Sequence, residues 1–371
     1  MKNATTFNFS IFVAGCYIQA ICEHSVKRLL EDPDVKQQIE NLKKIHGSAF
    51  KTLKLYFKYG CDGSSKHLVA NQATETEEAL SGNMISSNLV VLQLVADIND
   101  ENVILFTNKL HNSEIACRPA RHWYVRENSE TLDIETKRLI TACEKLKPIE
   151  VNGLTIEFQG FNSMNDQKAV NAIVEEACTK RCPCCHLLPR EHMVIFQDFP
   201  PPDITFLKSM CLSSLHFGLN LFEHFINKIG GHQDFKLDTA TEKSGNHLKR
   251  QNRIQIIKDA YNTERKIRIS YMLKGQGTTN TGNTVRRVFS DPAFLAKQIG
   301  VSEKLVQSLI DVWTLLKCNF ILDYKKFYNY CQEVKALYKT ELPWCNMNPS
   351  LFKVLDHAHL IIERYVLYNS T

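Results

Sequence analysis

Phe50 to Tyr59 alternates apolar and polar side chains with a period of two, the mark of a half-buried strand. It constrains the fold most because it is the first of a series. Two more strand runs, Asn88 to Ala96 and Asn102 to Thr107, are joined by the turn at 97–101. Residues 131–147 read as an amphipathic helix with Leu132, Ile134, Leu139, Ile140, Cys143 and Leu146 on one side, and a fourth strand comes at 154–159. The order is three strands, a helix and a fourth strand. Asp62 stands in the turn after the first run and Asp166 after the fourth. Adjacent strand ends can bring distant side chains together on a stiff support. Two carboxylates so placed suit a two-metal phosphoryl-transfer site. Hard cations take oxygen ligands, and ions roughly 4 Å apart hold attacking and leaving oxygens in line. An Asp after a strand is also an ordinary turn residue or helix cap, so neither Asp decides the matter alone.

The rest of the chain is mostly helical. Residues 24–45 carry helical spacing, broken into two short helices at Asp32-Pro33. From about 175 to 345 the 3.6 period returns in stretches at 205–230, 246–273, 292–317 and 321–340. The connection 63–87 is polar and reads as a mobile loop. The apolar run 11–22 is only twelve residues long, too short to span a bilayer, and reads as a buried helix or strand. No membrane partner is expected. A hydrophobic share of 44% in 371 residues is that of a folded protein, and a net charge of +5 permits a nucleic-acid partner without demanding one. Thirteen Cys, scattered and odd in number, point to a reducing compartment such as the nucleus or cytosol.

Several short segments resemble one family in the same order. They are Tyr59-Gly60-Cys61-Asp62-Gly63-Ser64-Ser65, then Asn112-Ser113-Glu114-Ile115-Ala116-Cys117-Arg118-Pro119, then Ser163-Met164-Asn165-Asp166. After them come Cys182-Pro183-Cys184-Cys185, the Gly- and Thr-rich loop from Gly275 to Phe289, and Met347 to His357. Together they resemble the Transib DNA transposases and, more distantly, the catalytic subunit of the recombinase that assembles antigen-receptor genes.

That resemblance implies an α/β fold with a ribonuclease-H-like core at 47–175 carrying both Asp ligands. A helical lead-in at 1–46 precedes it, a helical zinc-associated insertion at 176–345 interrupts it, and a return segment at 346–371 brings back a His. The implied chemistry is metal-dependent DNA nicking and strand transfer, with Asp62 and Asp166 as catalytic ligands of Mg²⁺ or Mn²⁺. The family's third carboxylate lies about a dozen residues beyond Glu363, past Thr371, so an incomplete or decayed copy is expected, and Glu363 is expected to be structural. Zinc would be held by Cys182, Cys185 and His357. Phe352 stands at the family's first His position, which leaves Cys184, His186, Cys345 or His359 to complete the site. Buried thiols in a reducing compartment are the plain alternative. The implied partner is double-stranded DNA, touched by Asn280, Asn283, Arg286 and Arg287. A flexible linker before a helix capped by Thr284 or Asn283 would look the same. Transposition generally pairs two active sites, so a homodimer in the nucleus is the implied setting. Only about twenty-three residues precede the matched region, and none forms a basic arm or helix-turn-helix. A domesticated, non-catalytic binding protein and an unrelated metal-dependent nuclease remain the other readings.

Overall fold

The computed structural model describes residues 8–10, 13–64, 84–98, 101–111, 113–125, 128–164, 182, 185, 187, 213–234, 244–270, 280–318 and 322–369. The chain divides into two compact units. One comprises 1–179 with 208–211 and 367–371; the other comprises 180–207 and 212–366.

The first unit is a mixed α/β structure. It opens with β1 (Asn8–Ser10) and β2 (Val13–Gly15), then α1 (Ile18–Glu31) and α2 (Pro33–His46). The break foreseen at Asp32-Pro33 is a helix cap, because the Asp32 carboxylate accepts from the N–H groups of Asp34 and Val35 while Pro33 opens α2. Next come β3 (Thr52–Ser64), β4 (Met84–Ile98), β5 (Glu101–Thr107) and β6 (Arg118–Trp123). Helix α3 (Ser129–Glu144) starts on a capping box of Asn128 and Thr131. Strand β7 (Ile149–Val151) then turns through Asn152 and Gly153, at φ 53° and 74°, into β8 (Leu154–Asn162). Positive φ at both positions is what a two-residue hairpin turn of type I′ requires.

The described strands form one sheet in the order β1-β2-β6-β4-β3-β8-β7, with β5 also paired to β4. Strands β3, β4 and β5 run antiparallel in sequence, whereas β8 returns parallel to β3. Strand β3 runs on past Tyr59 through the expected turn, because β4 begins at Met84 and offers partners as far as Ser64. Asp62 is therefore a strand residue opposite Ser86, not a turn residue. Residues 65–83 of the predicted mobile connection lie outside the described residues.

Alternation along β3 sets the core. Leu53, Leu55, Phe57, Tyr59 and Cys61 are buried in one cluster with Ile21 and Val26 of α1 and Leu132 and Leu139 of α3. Each such aliphatic or aromatic side chain contributes roughly 1.5–3 kcal/mol by leaving water. Gly160 of β8 leaves room for that packing, since a Cβ there would meet Phe57 at 2.7 Å and Tyr59 at 2.9 Å.

The second unit is helical. It contains α4 (Ser214–Glu223), continued by a π-helical stretch at His224–Gly230, then α5 (Ser244–Arg265), α6 (Gly282–Phe289) and α7 (Pro292–Ile299). Helices α8 (Glu303–Leu315), α9 (Tyr324–Glu341) and α10 (Pro349–Asn369) come after them. The single helix predicted at 292–317 is two, because Gly300 takes the left-handed conformation and Ser302 caps α8. Phe289 ties the unit together, lying edge-on to Phe225 at 5.9 Å and to Trp313 at 5.1 Å. No helix among the described residues is long and apolar enough to cross a membrane.

Candidate metal centre

Three buried side chains of the helical unit converge. The ligand atoms of Cys182, Cys185 and His357 all lie within 4.8 Å of one another, and the residues are 0%, 2% and 3% exposed. His357 Nε2 stands 3.3 Å from Cys185 Sγ. The two thiols come from a short loop closed by the Cys182 N–H, which donates to the Leu187 carbonyl at 2.9 Å.

His357 arrives from α10, and the helix is pinned on several sides. Asn348 accepts from the Leu351 N–H at 2.7 Å and donates to the Asn220 carbonyl of α4 at 2.9 Å. Asn220 returns a hydrogen bond to Ser350 Oγ at 2.8 Å. From α9, Gln332 donates to the Leu355 carbonyl at 3.0 Å, and the Lys335 ammonium meets Asp356 at 2.6 Å. That ion pair is sealed, its side chains 6% and 4% exposed. One turn of α10 thus presents an imidazole to the thiols and a neutralised carboxylate to α9.

The thiols stand in a different electrostatic position. Hydrogen bonding with Cys182, and then burial, push the Cys185 thiol far above the ordinary thiol range. Without a cation the Cys185 thiol stays protonated. A metal ion reverses that balance by displacing the protons and bringing positive charge to the sulfurs. Two sulfurs and an imidazole nitrogen form a donor set that excludes hard, oxygen-seeking ions and suits borderline or soft ones. The group is able to hold a metal ion.

Among the described residues no fourth Cys, His, Asp or Glu joins the three. Phe352 is wholly buried. Cys345 donates weakly to the Asn346 carbonyl at 3.8 Å, and His359 lies 4.3 Å from the Tyr328 ring. Cys184 and His186 lie outside the described residues.

In the first unit Asp62 is exposed near the end of β3. The strand is fastened one residue earlier, where Cys61 Sγ and Thr136 Oγ1 of α3 are 3.3 Å apart. Ser87, the β4 partner of Cys61, donates to the fully buried Glu135 carboxylate. Arg121 at 2.7 Å and Arg138 at 2.6 Å complete that carboxylate. Asp166 lies outside the described residues. The described stretch stops at Met164, whose N–H donates to the Tyr59 carbonyl at 3.1 Å.

Of the loop residues singled out for DNA, Asn280 is buried and uses its amide to hold Ser270, accepting from its N–H at 2.9 Å and donating to its carbonyl at 3.2 Å. Thr281, rather than Asn283 or Thr284, caps α6. Asn283 accepts from Arg286 at 3.0 Å, and Arg287 donates to the Lys266 carbonyl at 3.0 Å. Both Arg are exposed. Sequence reading missed Lys335, although a Lys among the buried positions Phe327, Cys331, Val334 and Tyr338 of α9 signals a buried partner. Comparison with protein-family models and with curated proteins finds no match to this chain.

Proposed function

We propose that the chain is a DNA-processing protein derived from a transposase or recombinase of the Transib type. Its first unit is a ribonuclease-H-like core, and its second is a helical unit that holds zinc at Cys182, Cys185 and His357. Asp62 and Asp166 bind Mg²⁺ or Mn²⁺ and direct hydrolytic attack on a DNA phosphodiester. The supporting observation is the sheet. Strands β3, β4 and β5 pair antiparallel in turn, and β8, reached through β6, α3 and β7, returns parallel to β3, so β3 and β8 are neighbours running the same way. Asp62 lies three residues beyond Tyr59, the last β3 residue paired with β8, and Met164 is bonded to the Tyr59 carbonyl. Asp166 lies two residues after Met164, a chain length of at most ~7 Å. Carboxylates brought together at that end of the sheet would give a pair of hard cations the oxygen ligands they need.

Nicking of supercoiled plasmid in Mn²⁺ tests this. The expected result is slow nicking, abolished by Asp62→Asn and by Asp166→Asn, with both variants folded by circular dichroism. Nicking that survives both substitutions ends the assignment of these residues. Duplex binding without Mn²⁺ uptake or cleavage identifies a DNA-binding protein that carries out no catalysis. The zinc assignment is tested by metal analysis of the purified chain and by Co²⁺ substitution. Sulfur-to-cobalt charge-transfer bands should appear, and Cys182→Ser should remove them.

A further inference from the structure

Helices α6 and α8 meet through Phe289 and Trp313. Trp313 cannot turn away from that contact. Its indole N–H donates to the Ser214 carbonyl at 2.9 Å, and Gly218 packs so closely that a Cβ there would lie 2.4 Å from the indole nitrogen. On this fixed ring sits Lys317, its ammonium 2.9 Å from the ring centroid. Arg286 stands one helical turn before Phe289, and Lys317 one turn after Trp313, so both cations flank the same interhelical contact. Arg286 is itself oriented by Asn283 at 3.0 Å.

The two charges feel each other: burial first, and Arg286 second, lower the Lys317 pKa to about 8. No carboxylate among the described residues forms an ion pair with either cation. Two like charges held close on rigid supports are costly alone and favourable around an anion. A guanidinium offers a planar fork and an ammonium a compact point charge, a combination that fits a phosphate group.

We propose that Lys317 and Arg286 form a preorganised site for a backbone phosphate of duplex DNA. The choice of DNA rests on the proposed DNA-processing function; the pairing of the two cations does not. Lys317 is the anchor, and the Trp313 ring holds it in place.

The experiment uses the full chain carrying Asp62→Asn, without divalent metal, so that cleavage plays no part. Binding of mixed-sequence 20-base-pair duplexes is followed over a series of salt concentrations. Lys317→Met retains the aliphatic stem on the indole, so the fold should be kept. It should weaken binding ~10-fold for every sequence and lower the slope of log affinity against log salt by ~1. Arg286→Met should act similarly, and Lys317→Arg should restore most of the affinity. Inorganic phosphate, followed by the change in tryptophan emission that Lys317→Met removes, forms the second arm. Duplex affinity indifferent to Lys317→Met while phosphate still quenches in a Lys317-dependent way would show a site for free phosphate and overturn the DNA assignment. Wild-type salt slopes in both Met variants with no phosphate response would sink the site, whereas no duplex binding by the parent would overturn the DNA-processing reading on which the choice of DNA rests.

Discussion

Glu135 in the sheet unit and the Cys182–Cys185–His357 group in the helical unit are both buried polar clusters, and they are built in opposite ways. Glu135 is fully buried yet has two guanidinium groups and a serine hydroxyl around it. The thiols meet each other and an imidazole, all of them potential metal donors. The first cluster is closed by cations of the chain itself, and the second offers its donors to a cation from outside. The Lys335–Asp356 pair sits beside the second cluster but is built like the first. Breaking it should give the largest effect. Lys335→Met removes the charge partner of a buried carboxylate and should destabilise the protein by ~3–5 kcal/mol, read from urea unfolding. Arg138→Met leaves Arg121 on Glu135 and should cost less, about 1.5–3 kcal/mol. Equal losses would show that the two ion clusters are not differently sealed.

Metal removal sharpens the same contrast. Zinc at a hundredfold excess over its Kd should stabilise the chain by up to ~2.7 kcal/mol, as an ion that prefers the folded arrangement to the unfolded chain. A chelator should reverse the gain, and Cys185→Ser should abolish it. Arg121→Met, in the cluster closed by the chain, should leave the zinc-dependent gain intact. Thermal melts with and without zinc decide the matter.

Strands β3, β4, β5 and β8 were legible in the runs starting at Phe50, Asn88, Asn102 and Leu154, whereas β1, β2, β6 and β7, three to six residues long, carry too little pattern to be read as strands. Asp32-Pro33 was legible as a break because a cap and a fixed φ act locally. The end of β3 was not, since Gly63 and Ser64 read as a turn and are strand only because β4 lies opposite. The same logic divides the candidate sites. Cys182 and Cys185 announce themselves by spacing, while His357 lies 172 residues beyond Cys185 and came only through the resemblance. Lys335 and Asp356 had no local signal strong enough to pair them, and Lys317 reads as an ordinary lysine at a helix end.

Two smaller effects probe how far each unit's packing depends on single positions. Gly160→Val places atoms where Phe57 and Tyr59 already lie and should cost ~1–3 kcal/mol by overpacking. In the helical unit Thr281→Ala should cost ~1 kcal/mol by uncapping α6, and Thr284→Ala no more than ~0.5 kcal/mol. A reversed ranking of the two threonines would place the start of α6 where the sequence pattern alone puts it.

The smallest effect expected is one of pH, and it falls only on the helical unit. Lys317 titrates at about 8, lowered from 10.5 by burial and then by the Arg286 charge. For a base whose folded pKa lies below its unfolded value, the unfolded chain binds more protons between the two, so this group's contribution to stability rises with pH across that window. An anion on the ammonium acts in the opposite direction. It favours the charged form, so duplex affinity should fall as pH rises through about 8, well before an ordinary lysine would respond. Arg286→Met removes the repulsion and should move the fall to higher pH, whereas Lys317→Arg should hold affinity level across roughly pH 7 to 9 because a guanidinium keeps its charge. Affinity that declines at the same pH in the parent and in Lys317→Arg would assign the titration to another group and leave Lys317 a helix-end lysine resting on an indole.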